Sequence, residues 1–182
     1  MSDPAPSRRL RGTVVLDDLL VQELLEARSI GVLATFDRAG FIHAVPMWFA
    51  AADGCVLLAT GSRSRKVANL ARDPRATLVV HDSRPGFEVC GASIAGTVEI
   101  VTGNAARALV DAVHRRYVLR SAEQEPSLGA FLASDDVALR FVPTSAFTWD
   151  ERENVSTAIL RQRGAALPLV TTEPRPERTS TE

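Results

Sequence analysis

Short apolar runs of strand-like composition, separated by tight turns, are the feature that most limits how this chain can fold. Residues 29–36 and 41–50 are joined by the turn Asp37-Arg38-Ala39-Gly40, and residues 55–60 follow the turn Ala52-Asp53-Gly54. Turns of this length connect antiparallel neighbours, whereas parallel strands need a crossover of a dozen or more residues. The pattern therefore predicts an antiparallel sheet and excludes a parallel, doubly wound one.

The rest of the chain adds more strands and a few helices. Further strands are predicted over residues 75–81, 87–101, 137–142 and 145–149. Helices are predicted over residues 17–28, 62–71, 104–117 and 128–133. Pro46 predicts an edge strand or a bulge, and Gly91 and Gly96 predict that the run 87–101 is bent or bulged. We expect a mostly β protein with flanking helices, built as a six- to seven-stranded antiparallel barrel.

Length and composition fit one soluble domain. The 182 residues are 46% hydrophobic and 24% charged, and the net charge is −1. This balance argues against nucleic-acid or membrane partners, and no apolar run reaches the roughly 18 residues of a membrane span. Without a secretory signal at the N-terminus, a cytoplasmic protein is expected. We predict a flexible arm over residues 1–12, one folded domain over 13–163, and a disordered or draped tail over 164–182.

Cysteine and histidine placement disfavours a metal or disulfide site. Cys55 and Cys90 lie in apolar runs, where a buried free thiol is the expected state. His43, His81 and His114 are too far apart for a zinc signature, and no metal site is predicted. The Gly-x-Ser-x-Gly turn of many hydrolases is absent from the sequence, although a triad of distant residues stays open.

The segment around Lys66 carries the strongest chemical signal. The chain has 20 Arg and a single Lys, which follows Ser62-Arg63-Ser64-Arg65 where a strand gives way to a helix. Unpaired N–H groups at a helix start attract anions, and Arg and Lys add charge-assisted hydrogen bonds. The segment predicts a phosphate site. The alternative is a solvated helix start whose Arg side chains pair with nearby acids.

An ordered series of segments extends this signal. The segments are Gly31-Val32-Leu33-Ala34-Thr35, Asp37-Arg38-Ala39-Gly40, Val45-Pro46-Met47-Trp48-Phe49, Ser64-Arg65-Lys66 and Asn69-Leu70-x-x-Asp73-Pro74-Arg75. In this order they resemble the pyridoxamine 5'-phosphate oxidase-like superfamily, whose members share a flavin-binding split β-barrel. The resemblance implies a homodimer that holds FMN or the deazaflavin coenzyme F-420 between its subunits.

The resemblance also implies which residues bind the cofactor. They are Val45, Pro46, Met47, Trp48, Ala59, Thr60, Ser64, Arg65, Lys66, Gly91 and Trp149. Within this set, Arg65 and Lys66 correspond to the clamp on the cofactor phosphate, and the second strand runs beside the ring. Gly91 corresponds to a further ring contact, and Trp149 to a wall of the partner's pocket. For Trp48 and Trp149, simple core packing is the alternative.

The implied activity is transfer of hydride or electrons between the cofactor and a small, conjugated organic substrate. Residues 147–154 lack the closing Trp–Arg–His pattern of true pyridoxamine phosphate oxidases, which argues against vitamin B6 as the substrate. His43 precedes the Pro-Met-Trp strand and is a candidate for proton transfer, with a structural role as the alternative. A second hypothesis is a non-catalytic flavin, deazaflavin or haem carrier on the same barrel.

Overall fold

The computed structural model describes residues 7–83, 89–118 and 125–152. The strands are β1 (Arg8–Arg11), β2 (Gly31–Phe36), β3 (Ile42–Met47), β4 (Phe49–Ala52), β5 (Cys55–Thr60), β6 (Arg75–Ser83), β7 (Val89–Val101) and β8 (Val137–Asp150). The helices are α1 (Leu19–Glu26), α2 (Arg65–Arg72), α3 (Asn104–Tyr117) and α4 (Pro126–Ala133), and a single 3-10 turn covers Gly12–Val15. Among these described helices, none is long and apolar enough to cross a membrane.

The strands form one antiparallel sheet that curls round on itself. Its order is β3-β2-β6-β7-β8-β5-β4, and β1 adds to β8. The two ends of this order, β3 and β4, are separated in the chain by Trp48 alone. Because both edges belong to one bent segment, the sheet must wrap round to bring them together. This confirms the mostly β, antiparallel split-barrel class.

Two apolar clusters hold the barrel and place its helices. Inward-facing side chains fill the interior, and Leu33, Phe49 and Phe141 are fully buried there. A second cluster lies on the other face of β5, where Leu57 packs with Val113 of α3. Every residue of β5 is buried, because the barrel covers one face and α3 covers the other. Strand β5 is therefore held in place on both faces, and this fixes the start of the loop that follows Thr60.

The predicted arm is wrong for the residues that the structure describes. Arg8–Arg11 form β1 and pair with Ser145–Thr148 of β8. Strand β8 is 14 residues long, and β5 pairs only with its first part, Val137–Phe141. The second part is left with a free edge that β1 completes, and Leu10 packs against the core. The predicted tail over residues 164–182 lies outside the described residues.

The two strands predicted over residues 137–142 and 145–149 are one strand. Pro143 is tolerated because it stands opposite a bulge, where the register shifts between Ala95 and Gly96. The shift skips Thr144 in the pairing of β7 with β8, although its hydroxyl donates to the Ala95 carbonyl at 3.2 Å. The irregularity predicted for the run 87–101 occurs at Gly96, but the extra residue of the bulge lies on β8 and not on β7. The predicted burial of Cys55 and Cys90 as free thiols is confirmed.

Candidate functional site

A cavity of about 360 Å³ opens at the bend between β3 and β4. Its walls come from the bend itself, the end of β5, α2, and α4 with the loop that follows it. The lining residues are Ile30, Pro46, Met47, Trp48, Ala59, Thr60, Lys66, Phe131 and Asp135. Six of the residues that the sequence assigns to cofactor binding, Pro46, Met47, Trp48, Ala59, Thr60 and Lys66, therefore meet in one cavity.

Lys66 is the cation of this cavity. Its side chain is half-buried, and Nζ donates a hydrogen bond of 2.8 Å to Oγ1 of Thr60. The Thr60 hydroxyl in turn donates to Oγ of Ser64 at 3.3 Å. Burial lowers the pKa of Lys66, and the nearby charge of Asp135 raises it in part. A half-buried ammonium group held by a neutral hydroxyl is well suited to an anionic ligand.

Helix α2 begins three residues later than the sequence predicts. A turn forms first, in which the Ser64 N–H donates to the Gly61 carbonyl at 3.0 Å, and the helix starts at Arg65. The Ser62 N–H is taken by Oδ1 of Asp136 at 2.6 Å. Ser64 is the N-cap residue, but its side chain makes no capping hydrogen bond. The N–H groups of the first turn of α2 thus lack a side-chain cap beside Lys66.

Arg65 does not share the cavity with Lys66. Its guanidinium pairs with Oδ2 of Asp37 at 2.7 Å, and 62% of its side chain is exposed. Asp37 also accepts hydrogen bonds from the N–H groups of Ala39 and Phe41 in the turn between β2 and β3. The alternative stated for this segment, an Arg paired with a nearby acid, describes Arg65. Lys66 alone of the two implied clamp residues lines the cavity.

An aromatic cluster fixes the other wall. The Trp48 ring stacks on Tyr117 with centroids 4.9 Å apart and planes within 6°, and Phe131 packs edge-on at 5.6 Å. The Tyr117 hydroxyl donates to the Ser29 carbonyl at 2.8 Å and accepts from the Phe49 N–H at 3.2 Å. Tyr117 therefore ties the end of α3 to the start of β4 and to the segment that precedes β2. Trp48 is both a packing residue and a wall of the cavity.

The remaining implied residues lie elsewhere on this chain. Val45 is half-buried and packs against the interior cluster. His43 lies on β3, opposite Thr35 of β2, and its Nδ1 is buried without a hydrogen-bond partner. Neither residue lines the cavity. Gly91 and Trp149 face each other across β7 and β8. The ring contact implied for Gly91 and the place of Trp149 in a partner's pocket stay predictions.

Gly91 is required by the tryptophan opposite it. A Cβ at this position would lie 2.2 Å from Cζ2 of Trp149, so the ring lies against the glycine backbone. We expect Gly91→Ala to push the ring away and to lower the free energy of unfolding by about 1–2 kcal/mol. Denaturant unfolding followed by tryptophan fluorescence measures both effects. In Trp149→Ala the same glycine substitution should cost little, and an equal cost in both backgrounds would contradict the contact.

Three lining residues are not predicted from the sequence: Ile30 precedes β2, Phe131 lies on α4, and Asp135 follows α4. For Tyr117, the chain's single tyrosine, the sequence predicts a packing group at a helix end, with contact to a partner's cofactor as the alternative. The structure shows it packed on Trp48. Phe131 and Asp135 are more than 60 positions from Lys66, and no local pattern links segments so far apart. The pairing of β8 with β5 sets Val137 opposite Thr60 and so brings Asp135 near the loop before α2, and Phe131 packs on Trp48.

A sequence model of the pyridoxamine 5'-phosphate oxidase family matches residues 20–150. This match spans well over half of the chain and agrees with the curled antiparallel sheet. The chain belongs to this family. Among curated proteins, no sequence matches significantly.

Solved structures share the fold. A conserved hypothetical protein from Mycobacterium tuberculosis is 28% identical, with a TM-score of 0.63 over 79% of this chain and 90% of that one. A protein described as an F-420 reductase is 23% identical, with a TM-score of 0.53 over 69% and 94%. The haem storage protein HutZ from Vibrio cholerae is 13% identical, with a TM-score of 0.56 over 72% and 95%. At such identities the last two share the fold alone.

Proposed function

We propose that this protein is an oxidoreductase that binds FMN or the deazaflavin coenzyme F-420 and acts on a small, conjugated organic substrate. The observation that carries the proposal is Lys66, a half-buried ammonium group in a largely apolar cavity next to the uncapped start of α2. Both cofactors present a phosphate and a flat ring system. One phosphate site and one flat wall therefore serve either of them.

The residues of the cavity fit such a group. The Lys66 ammonium hydrogen bonds to the neutral hydroxyl of Thr60, so an incoming phosphate can take this donor by displacing a hydroxyl rather than a carboxylate in direct contact with it. The first-turn N–H groups of α2 add partial positive charge at the same place. Across the cavity, Trp48 and Met47 at the bend between β3 and β4 offer an apolar surface for a ring.

When bound, the cofactor supplies the hydride or electron transfer itself. The chain's own residues bind and orient it. Lys66 neutralises the phosphate, and the stacking of Trp48 on Tyr117 keeps the opposite wall rigid. Ile30 and Phe131, which are 50% and 53% exposed, form an apolar rim of the cavity that a bound ring would cover. His43 lies outside this cavity, and we assign it no step.

The proposal includes a homodimer with the cofactor between the subunits. The hairpin of β2 and β3 exposes Phe36, Phe41 and Ile42, which are 43%, 73% and 68% exposed. A two-fold interface would cover such a surface. Sedimentation at micromolar concentration with cofactor bound should show a dimer, and a monomer under these conditions would remove this part of the proposal.

The experiment that tests the function is a titration of the purified protein with FMN, coenzyme F-420 and haem, each followed by quenching of fluorescence. Binding of FMN or F-420, followed by turnover of the reduced cofactor with an electron acceptor, supports the oxidoreductase. Binding without turnover with any acceptor favours the carrier. Haem binding alone, or no binding, contradicts the proposal. The described lining of the cavity contains no histidine to ligate a haem iron.

A further inference from the structure

The carboxylate of Asp135 lies in a wall shared by two cavities. On one side is the 360 Å³ cavity with Lys66, and on the other is a cavity of about 590 Å³ between α3 and α4. Oδ2 of Asp135 lies 3.0 Å from Nε2 of His114, and His114 is only 7% exposed. This histidine also packs edge-on against Trp48, with ring centroids 6.3 Å apart. The pair is thus held in place between the two cavities.

The local backbone fixes Asp135 beside the phosphate site. Gly61 lets the Ser134 carbonyl approach so closely that a Cβ at Gly61 would lie 2.9 Å from it. The adjacent Asp136 binds the Ser62 N–H, which ties the same loop to the start of α2. Asp135 therefore faces a cavity in which a phosphate would meet a negative charge. A carboxylate held there opposes the binding of an anion unless its own charge is compensated.

We propose that Asp135 is an internal counterion of Lys66 that competes with the phosphate of the ligand, and that His114 takes up a proton when the phosphate binds. The inference rests on the proposed phosphate site. Before binding, the Asp135 charge acts on Lys66 across the cavity. After binding, the positive charge of Lys66 neutralises the phosphate, and the protonated form of His114 compensates the negative charge of Asp135. The proton comes from solvent, and the larger cavity gives it a route to His114.

Other charged groups around the pair set the background for this exchange. Arg107, Asp111 and Arg115 of α3 line the larger cavity, and Asp136 lies there beside Asp135. Asp111 pairs with Arg115 at 3.4 Å, and Asp136 holds the Ser62 N–H. These carboxylates thus have partners of their own. His114 is the hydrogen-bond partner of Asp135, and histidine is the side chain that ordinarily titrates between pH 5 and 8.

The first test removes the competing charge. We expect Asp135→Asn to bind FMN or coenzyme F-420 about tenfold more tightly than the wild type, because a carboxylate no longer faces the phosphate. Inorganic phosphate should compete more strongly by a similar factor. Riboflavin and the deazaflavin chromophore without its phosphate should bind equally to both proteins. Asp111→Asn, which removes a carboxylate from the larger cavity alone, should leave the affinity unchanged.

The second test follows the proton. Calorimetric titration in two buffers of different ionisation enthalpy should show a fraction of one proton taken up per cofactor bound at pH 7, and none in His114→Gln. That variant should also bind the cofactor several-fold more weakly, since the Asp135 charge is then uncompensated. Because proton uptake favours binding as pH falls, the ratio of wild-type to His114→Gln affinity should rise from pH 8 to pH 6. The ratio cancels any titration of the ligand's own phosphate, which for the phosphomonoester of FMN has a second ionisation near pH 6.

The outcomes separate this inference from the proposed function. If no phosphate-bearing cofactor binds to the wild type, the proposed function has failed. If cofactor binds but Asp135→Asn is neutral or weaker, or the proton uptake persists in His114→Gln, the counterion is overturned while the function stands. The double variant should behave like Asp135→Asn alone, since His114 acts through Asp135. Additive effects of the two substitutions would also overturn the coupling.

Discussion

Lys66→Met is expected to weaken binding of FMN or coenzyme F-420 by about 10- to 100-fold, the loss that one charge-assisted hydrogen bond to a phosphate accounts for. Methionine preserves most of the side chain's length and apolar stem, so the cavity keeps its shape. The effect is large because Lys66 is half-buried and screened little by solvent. Fluorescence titration of the wild type and the variant measures it directly.

Two comparisons make the Lys66 prediction specific. Arg38→Met removes one positive charge from the exposed turn between β2 and β3 and should leave the affinity within a factor of two or so, because exposed charges are screened. Arg65→Met should have a smaller effect than Lys66→Met, since Arg65 is paired with Asp37 outside the cavity. Equal losses for Arg65 and Lys66 would show that the ligand draws Arg65 away from Asp37. Equal losses for Arg38 and Lys66 would reduce the effect to net charge.

The local sequence pattern predicts most of the strands and helices, but it does not predict how the sheet closes into a barrel. The apolar spacing of α3 predicts its observed bounds, Asn104–Tyr117, because one face of that helix packs on β5. Pro46 predicts an edge strand or a bulge in the run 41–50, but nothing in the run predicts that it breaks at Trp48. That break depends on contacts made much later in the chain, where Tyr117 stacks on the ring and binds the neighbouring N–H of Phe49. Barrel closure is therefore a tertiary effect on a sequence that favours one strand.

The candidate site divides in the same way. Thr60 and Lys66 follow from the strand-to-helix transition, since the end of β5 and the start of α2 bring them within hydrogen-bond reach. The direction of Arg65 does not follow, because its partner Asp37 comes from another hairpin. No motif predicts a role for Asp135, since an Asp-Asp pair after a short helix is typical of a solvated turn. Its position beside the cavity depends on the close approach of the Ser134 carbonyl to Gly61.

Gly96 carries the prediction with the largest expected effect on stability. It lies at the bulge where β7 meets Pro143 of β8, and a Cβ there would lie 2.4 Å from the Val142 carbonyl oxygen and 2.8 Å from Cζ of Phe141. Phe141 is fully buried, and the carbonyl belongs to the partner strand's backbone, so neither can move without disturbing the core. The φ angle of Gly96 is outside the left-handed region, so the obstacle is contact rather than backbone strain.

Gly96→Ala should therefore lower the free energy of unfolding by about 3 kcal/mol, at the upper end of overpacking effects, and shift the urea midpoint with little change in slope. Thr97→Ala, at the adjacent exposed position, should stay within about 0.5 kcal/mol of the wild type. The pair isolates the close approach of β7 to β8 from the general cost of changing this strand. If both variants unfold at the wild-type midpoint, β7 and β8 are not packed this closely at the bulge. A loss at Gly96 alone places that packing among the contacts that hold the barrel closed.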